Sequence, residues 1–159
     1  MDGRINNLRS LSKIRASIRR EKRTVVFTNG CFDLIHSGHI HLFKEAKKLG
    51  EVLMVAVNSD ESVKKIKGPS RPIFPLAERL EILEAIQFID YLLPFSEETP
   101  LRIISVILPD VLVKGGDWKM EEVVGRQDVE EAGGRVVLVP FLRTQSTSRL
   151  LSKILRSHR

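Results

Sequence analysis

The 159-residue chain predicts a single α/β domain built on a doubly wound sheet of about five parallel strands, and three observations carry that reading. From residue 24 onward, short β-branched apolar runs alternate with amphipathic stretches of helical period. The apolar runs are continuous, as strands covered by helices on both faces require. No internal repeat, low-complexity tract or break in composition follows residue 24, and 42% hydrophobic with 29% charged side chains fits one folding unit.

The first element precedes the sheet. Leu8, Leu11, Ile14 and Ile18 share one side of a helical wheel, which turns the arginines of this stretch outward. Residues 1–23 therefore read as an amphipathic helix of the domain, with the body at 24–159 following without a linker. A signal peptide needs an apolar h-region that is absent here; a transit peptide is the rival reading of so Arg-rich a segment. Strands are expected at 24–28 (TVVFT), 52–57 (VLMVAV), 90–94 (DYLLP), 110–114 (DVLVK) and 135–139 (RVVLV). Helices are expected at 38–49, 60–66, 75–88, 99–108, 121–132 and 146–156. Their ends carry start and stop signals: Gly50 after the first, Pro75 opening the third, Thr99-Pro100 opening the fourth, Gly133-Gly134 closing the fifth. Between them Lys67 to Pro75 (KGPSRPIFP), with three prolines and a glycine, reads as a loop at a ligand's edge or a plain connector.

Composition narrows the function. The longest apolar runs, such as Val52–Val57, fall far short of the roughly 18 residues a membrane span needs. A lone cysteine, Cys31, excludes an internal disulfide and makes a reducing cytosol the expected compartment. The net charge of +6 sits at the ends: residues 24–142 carry 13 basic against 18 acidic side chains. A nucleic-acid binder would put its basic patch on the body, with aromatics to stack bases, and the whole chain has nine aromatics. Basic ends on an acidic body suit a small anionic ligand held at a focused site at least as well.

The segment Thr28-Asn29-Gly30-Cys31-Phe32-Asp33-Leu34-Ile35-His36-Ser37-Gly38-His39 leaves the first strand and enters the first helix, where α/β domains bind nucleotides. Gly38 and His39 open the helix, whose free N–H groups and dipole attract phosphate, and the glycine lets a ligand come close. His36 and His39 can both turn imidazole N–H donors toward one anion, which is what charge spread over a pentacoordinate phosphorus needs. Zinc ligation by Cys31, His36, His39 and His41 fits poorly, because His39 and His41 stand two apart on a helix and point to different sides. A Cys31–His nucleophile pair lacks any surrounding signature, and lone cysteines mostly pack. Single histidines are usually surface residues; a His-x-Gly-His after a strand is more specific. Neither a Walker A loop nor Gly-x-Gly-x-x-Gly occurs.

His36-Ser37-Gly38-His39 after TNGCFD resembles the His-x-Gly-His motif of the nucleotidyltransferase superfamily that includes glycerol-3-phosphate cytidylyltransferase. Val57-Asn58-Ser59-Asp60 with Lys64, Lys65 and Lys67-Gly68, the Arg71-Pro72 loop, Glu78-Arg79 and Val113-Lys114-Gly115-Gly116-Asp117-Trp118 follow in order, most similar to the heptose 1-phosphate adenylyltransferases. The resemblance covers residues 24 to 156 and implies a Rossmann-like domain of the HxGH nucleotidyltransferase type. It implies transfer of AMP from ATP, with Mg2+, to a heptose 1-phosphate, giving ADP-heptose and pyrophosphate. It also implies a homodimer and, since this stretch has no room for one, a separate sugar kinase upstream. A phosphate nucleophile is already ionised, so no general base is needed.

By that resemblance His36 and His39 hold the triphosphate and the transition state, backbone N–H groups from Thr28 through Asn29, Gly30, Cys31 and Phe32 line the nucleotide with Gly38, and Lys65 or Lys67 steadies phosphates from a mobile loop. A lysine run is otherwise a solvated face. Arg79 presents its fork to the sugar phosphate, or pairs with Glu78 or Glu81. Asp33 is placed on the same side, as an organiser of the loop through Asx-type bonds and not as a base. Lys114, Gly115 and Asp117 lie beside the nucleotide, the two glycines allowing close approach; the alternative is a strand-to-helix turn with Trp118 over the core's edge. Ser146, Thr147 and Ser148 form a second phosphate cradle or simply cap a helix. The related cytidylyltransferases carry Arg-Thr-x-Gly-x-Ser-Thr where this chain has Arg143-Thr144-Gln145-Ser146-Thr147, shorter and without the glycine, so the resemblance does not carry a triphosphate role over to Arg143. A CTP enzyme acting on glycerol 3-phosphate is the runner-up, and a nucleic-acid module using the basic ends is the rival from another class.

Overall fold

The structure, a computed structural model, describes residues 3–140, 142 and 146–158. The elements follow as α1 (Leu8–Arg20), β1 (Val25–Gly30), α2 (Ser37–Lys47), β2 (Val52–Asn58), α3 (Asp60–Lys67), α4 (Leu76–Glu84), β3 (Tyr91–Phe95), α5 (Leu101–Ile107), β4 (Val111–Gly115), a 3-10 turn (Met120–Glu122), α6 (Arg126–Glu131), β5 (Arg135–Val139) and α7 (Thr147–Ser157). The five strands form one parallel sheet in the order β3-β2-β1-β4-β5. After β1 the chain builds outward through β2 and β3, then returns to lay β4 and β5 on the other side. The crevice between β1 and β4, at their carboxyl ends, is therefore the switch point where such sheets take ligands.

Each face of the sheet carries its own core. Leu11 and Ile18 of α1, Ile103, Ile104 and Ile107 of α5 and Val129 of α6 cover one face. Leu42, Phe43 and Ala46 of α2 with Leu80 and Leu83 of α4 cover the other. Burial on both sides is why the strands read as unbroken apolar runs. Strand amino ends are tied by carboxylates: Asp110 accepts the N–H of Val25 at 2.7 Å, and Asp90 accepts that of Leu53 at 2.7 Å and Lys47 Nζ at 2.5 Å.

Three sequence expectations need correction. Arg15 does not face outward: it is buried, donating through Nε to Ile107 O (3.1 Å) and through Nη2 to Leu108 O and Asp110 (both 2.9 Å). The last carbonyls of α5 have no helical partner of their own, and Arg15 supplies one. The helix expected at 75–88 stops at Glu84, where Arg4 Nη1 takes the carbonyls of Glu84 (2.8 Å) and Ile86 (3.4 Å). The helix expected at 121–132 is a 3-10 turn and a short α6, broken at Gly125. Gly125 has φ +82, and a Cβ there would meet Ile104 at 2.6 Å, so backbone packs where a helix would put side chains. No described helix is long and apolar enough to cross a membrane.

Candidate active site

The turn from β1 into α2 is built around Phe32. It is buried with φ +47, its ring 5.1 Å from that of Phe43 and edge-on to His39 at 5.5 Å. Such backbone is unfavourable for a side chain, and aromatic packing holds it. Gly30 is required beneath it, because a Cβ there would come within 2.9 Å of the Phe32 ring.

The motif then folds into a reciprocal cap. His36 is the N-cap of α2 and its Nδ1 accepts the N–H of Gly38 at 3.1 Å, while His39 Nδ1 accepts the N–H of His36 at 3.3 Å. The two rings stack with centroids 3.9 Å apart and a 29° tilt. An imidazole whose Nδ1 accepts a hydrogen bond carries its proton on Nε2. Both histidines are thus fixed as Nε2–H donors with neighbouring tips. Burial pushes both below the usual histidine value, His39 to about 4 with the charge of His36 adding to the effect, so both are neutral at pH 7. The Gly38 N–H, expected to meet a phosphate, is spent on this cap.

Asp33 and Arg79 take places other than the ones expected. The Asp33 carboxylate is buried and accepts Arg71 Nε at 2.6 Å and the N–H groups of Ile73 (2.8 Å) and Phe74 (2.9 Å). Burial would raise it, but the Phe74 and Ile73 N–H groups and the Arg71 guanidinium outweigh this and hold it below the usual carboxylate range. It organises the 71–74 segment across the chain, not its own neighbours, and offers nothing to a substrate phosphate. Arg79 is wholly buried. Its Nε donates to Phe74 O (3.1 Å), Nη1 to Cys31 O (2.6 Å) and Asn58 O (2.8 Å), and Nη2 to Asp60 (2.8 Å). It presents no fork to a ligand and pairs with neither Glu78 nor Glu81; it staples the ends of β1 and β2 to the loop before α4.

The lysines separate. Both lie on α3, not on a mobile loop, since Ser59 caps that helix by accepting the N–H of Ser62 (3.2 Å) and the last-turn lysines suit its carboxyl end. Lys65 is exposed, 4.0 Å from Glu98. Lys67 is close enough to Cys31 to pull its thiol down, with Arg79 and Arg71, yet burial dominates and holds the thiol above its ordinary value. A protonated thiol in contact with Asn58 Oδ1 (4.0 Å) is no nucleophile.

At the switch point Lys114 of β4 donates to Asn29 of β1. Lys114 is buried, and burial lowers it to about 8. The Thr28 hydroxyl lies wholly buried with no partner among the described residues, and Thr28 itself sits inside the sheet, opposite Val55 of β2. Gly115 packs against Leu42 of α2, a Cβ there falling 3.1 Å from it, so its close approach is to the core. Asp117 is exposed on the rim, and Trp118 is half exposed and does not close the core's edge. Ser146 accepts the N–H of Arg149 (3.2 Å) and caps α7, with Thr147 and Ser148 in its first turn; Arg143, Thr144 and Gln145 lie outside the described residues. Asn58, which the sequence offers only as part of a matching segment with no role of its own, is buried at the end of β2; its Nδ2 donates to Ser62 Oγ at 2.6 Å and its carbonyl receives Arg79. A polar residue closing an apolar strand was the available signal.

A concavity of about 710 Å³ beneath α6 is lined by Glu121, Asp128, Glu130 and Glu131 with Arg126, a charge balance that repels a polyphosphate. The rim of β1 and β4 differs, with two neutral donors and one buried ammonium beside the single exposed carboxylate of Asp117.

The fold defines the class: a doubly wound α/β domain whose switch point, the crevice where sheets of this kind take their ligands, lies between β1 and β4. The chain belongs to the cytidylyltransferase-like family, whose sequence profile matches residues 27–157. It is similar to the "Bifunctional protein HldE" of Citrifermentans bemidjiense, 48% identical over 157 residues, and to that of Hydrogenovibrio crunogenus, 55% identical over 130 residues. These alignments cover 99% and 82% of this chain but 32% and 27% of the relatives, so the chain spans about a third of their length. Among solved structures, a lipopolysaccharide core biosynthesis protein from Thermoplasma volcanium is 31% identical with a TM-score of 0.61, covering 75% of this chain and 96% of that one. Pantoate-beta-alanine ligase from Francisella tularensis, 16% identical over 90% of this chain and 67% of its own, shares the fold with a TM-score of 0.60.

Proposed function

We propose that this chain is a nucleotidyltransferase that moves AMP from ATP to a heptose 1-phosphate, releasing pyrophosphate and forming ADP-heptose. The observation that carries this is the stacked His36–His39 pair, locked by its own cap into two Nε2–H donors at the mouth of β1. Support for the acceptor comes from the agreement of the Asn58-Ser59-Asp60 and Lys114-Gly115-Gly116-Asp117 segments with heptose 1-phosphate adenylyltransferases, and from the HldE relatives. In the reaction a sugar-phosphate oxygen attacks the α-phosphorus, the bond to the β-phosphate oxygen breaks, and pyrophosphate leaves with that electron pair. His36 and His39 donate to oxygens that gain charge on the way, and being neutral and pre-aimed they need no reorganisation. Lys67, on the Cys31 side of α3, adds a positive charge near the phosphates.

No group of three or more His, Cys, Asp or Glu side chains able to hold a metal exists among the described residues. On this reading Mg2+ comes in on ATP, held by its phosphate oxygens and water, where the ion would neutralise charge. On the same reading the enzyme is a cytoplasmic homodimer, and a sugar kinase acts upstream to supply the 1-phosphate.

Pyrophosphate release with ATP or CTP, each offered against heptose 1-phosphate and glycerol 3-phosphate, tests the proposal. Turnover is expected with ATP and heptose 1-phosphate. Turnover only with CTP would transfer the chain to polyol phosphate chemistry; salt-sensitive polynucleotide binding without pyrophosphate release would end the enzymatic reading.

A further inference from the structure

We propose that Lys114, held ready by Asn29, is the receptor for a phosphate group of one of the two substrates. The proposal rests on the nucleotidyl-transfer reading and adds the side chain that supplies the counter-charge.

Among the described residues four charged side chains are buried: Arg15, Asp33, Arg79 and Lys114. The first three each have an opposite charge at hydrogen-bond distance, Asp110, Arg71 and Asp60 respectively. Lys114 has none. Its Nζ donates to the neutral Asn29 Oδ1, and no ion pair among the described residues includes it. An ammonium brings three donors, and one amide oxygen answers one of them. Burial alone moves its titration, down to about 8, with no carboxylate opposing.

A cation stripped of water without a counter-ion is costly, and an apolar side chain of equal length would cost less. The cost falls at the penultimate residue of β4, bridged to β1 across the crevice of the switch point, where ligands of such sheets sit. An incoming phosphate oxygen supplies both the missing charge and acceptors for the remaining N–H groups. The triphosphate and the sugar phosphate share this chemistry, and the test separates them.

Two variants decide the matter: Lys114→Met removes the charge, and Asn29→Asp gives it a built-in partner. Thermal melts without ligand and calorimetric Kd values for ATP and for heptose 1-phosphate are measured on wild type and both variants. Each variant should melt about 3 °C or more above wild type, because the uncompensated charge is gone or paired. Each should bind one of the two ligands roughly 10- to 100-fold more weakly. Loss confined to ATP assigns Lys114 to the nucleotide, and loss confined to the sugar phosphate assigns it to the acceptor. Unchanged Kd for both ligands in Lys114→Met, with wild type binding normally, overturns the Lys114 assignment alone. A wild type that binds neither ligand overturns the nucleotidyl-transfer reading with it.

Discussion

Replacing His39 by alanine should lower turnover by about 10²- to 10³-fold, the loss that follows removal of one pre-aimed donor from a site where charge develops. The substitution deletes the Nε2–H, the Nδ1 acceptor for the His36 N–H, and the edge contact with Phe32. Loss of the cap should cost about 1 kcal/mol, leaving a folded domain. His39→Asn separates the two roles: its side-chain oxygen can still accept the His36 N–H, but no donor reaches the place of Nε2. It should keep most of the stability and lose the same turnover. The acid limb gives a second readout. His39 is held at about 4 against an ordinary 6.5, so in this window the unfolded chain binds the proton and the folded one resists it. The stability contributed is complete above 6.5 and is lost as pH falls toward 4, and His39→Asn should flatten that decline. Turnover like wild type in His39→Ala, in the pyrophosphate assay, would contradict the role given to this ring.

Arg79→Met should destabilise the domain by about 3–5 kcal/mol, the range for removing one partner from a buried charged network. The cost comes from the carbonyls of Cys31, Asn58 and Phe74, which lose their donor, that of Asn58 in a buried place. Asp60 is partly exposed and can be rehydrated, so it adds little. Urea unfolding, read from the midpoint at unchanged slope, measures the loss. A shift below 1 kcal/mol together with a large fall in kcat/KM would return Arg79 to the substrate. Because Arg79 ties the end of β1 to that of β2, its removal should also loosen the turn that carries His36 and His39.

What could be read from the chain was local. The five strands, the start of α2 and the histidine pair are written in runs of fewer than a dozen residues, and a strand end followed by His-x-Gly-His needs no tertiary information. What could not be read depends on partners far away in sequence. Asp33 meets Ile73 and Phe74 across 40 and 41 positions, Arg79 reaches Cys31 across 48, and Lys114 reaches Asn29 across 85. A buried arginine with four hydrogen bonds looks, in sequence, like any helix arginine with glutamates nearby. The break at Gly125 escaped for a similar reason: only the position of Ile104 shows why a helix cannot continue there.

On the proposed function, two neutral imidazoles held by their own backbone grip the phosphates of a nucleotide. A crystal structure with a non-hydrolysable ATP analogue tests it most directly. Both Nε2 atoms should lie about 3 Å from phosphate oxygens while both Nδ1 atoms keep their backbone bonds. Rings turned away from the bound triphosphate, or closed around a zinc ion, would contradict it.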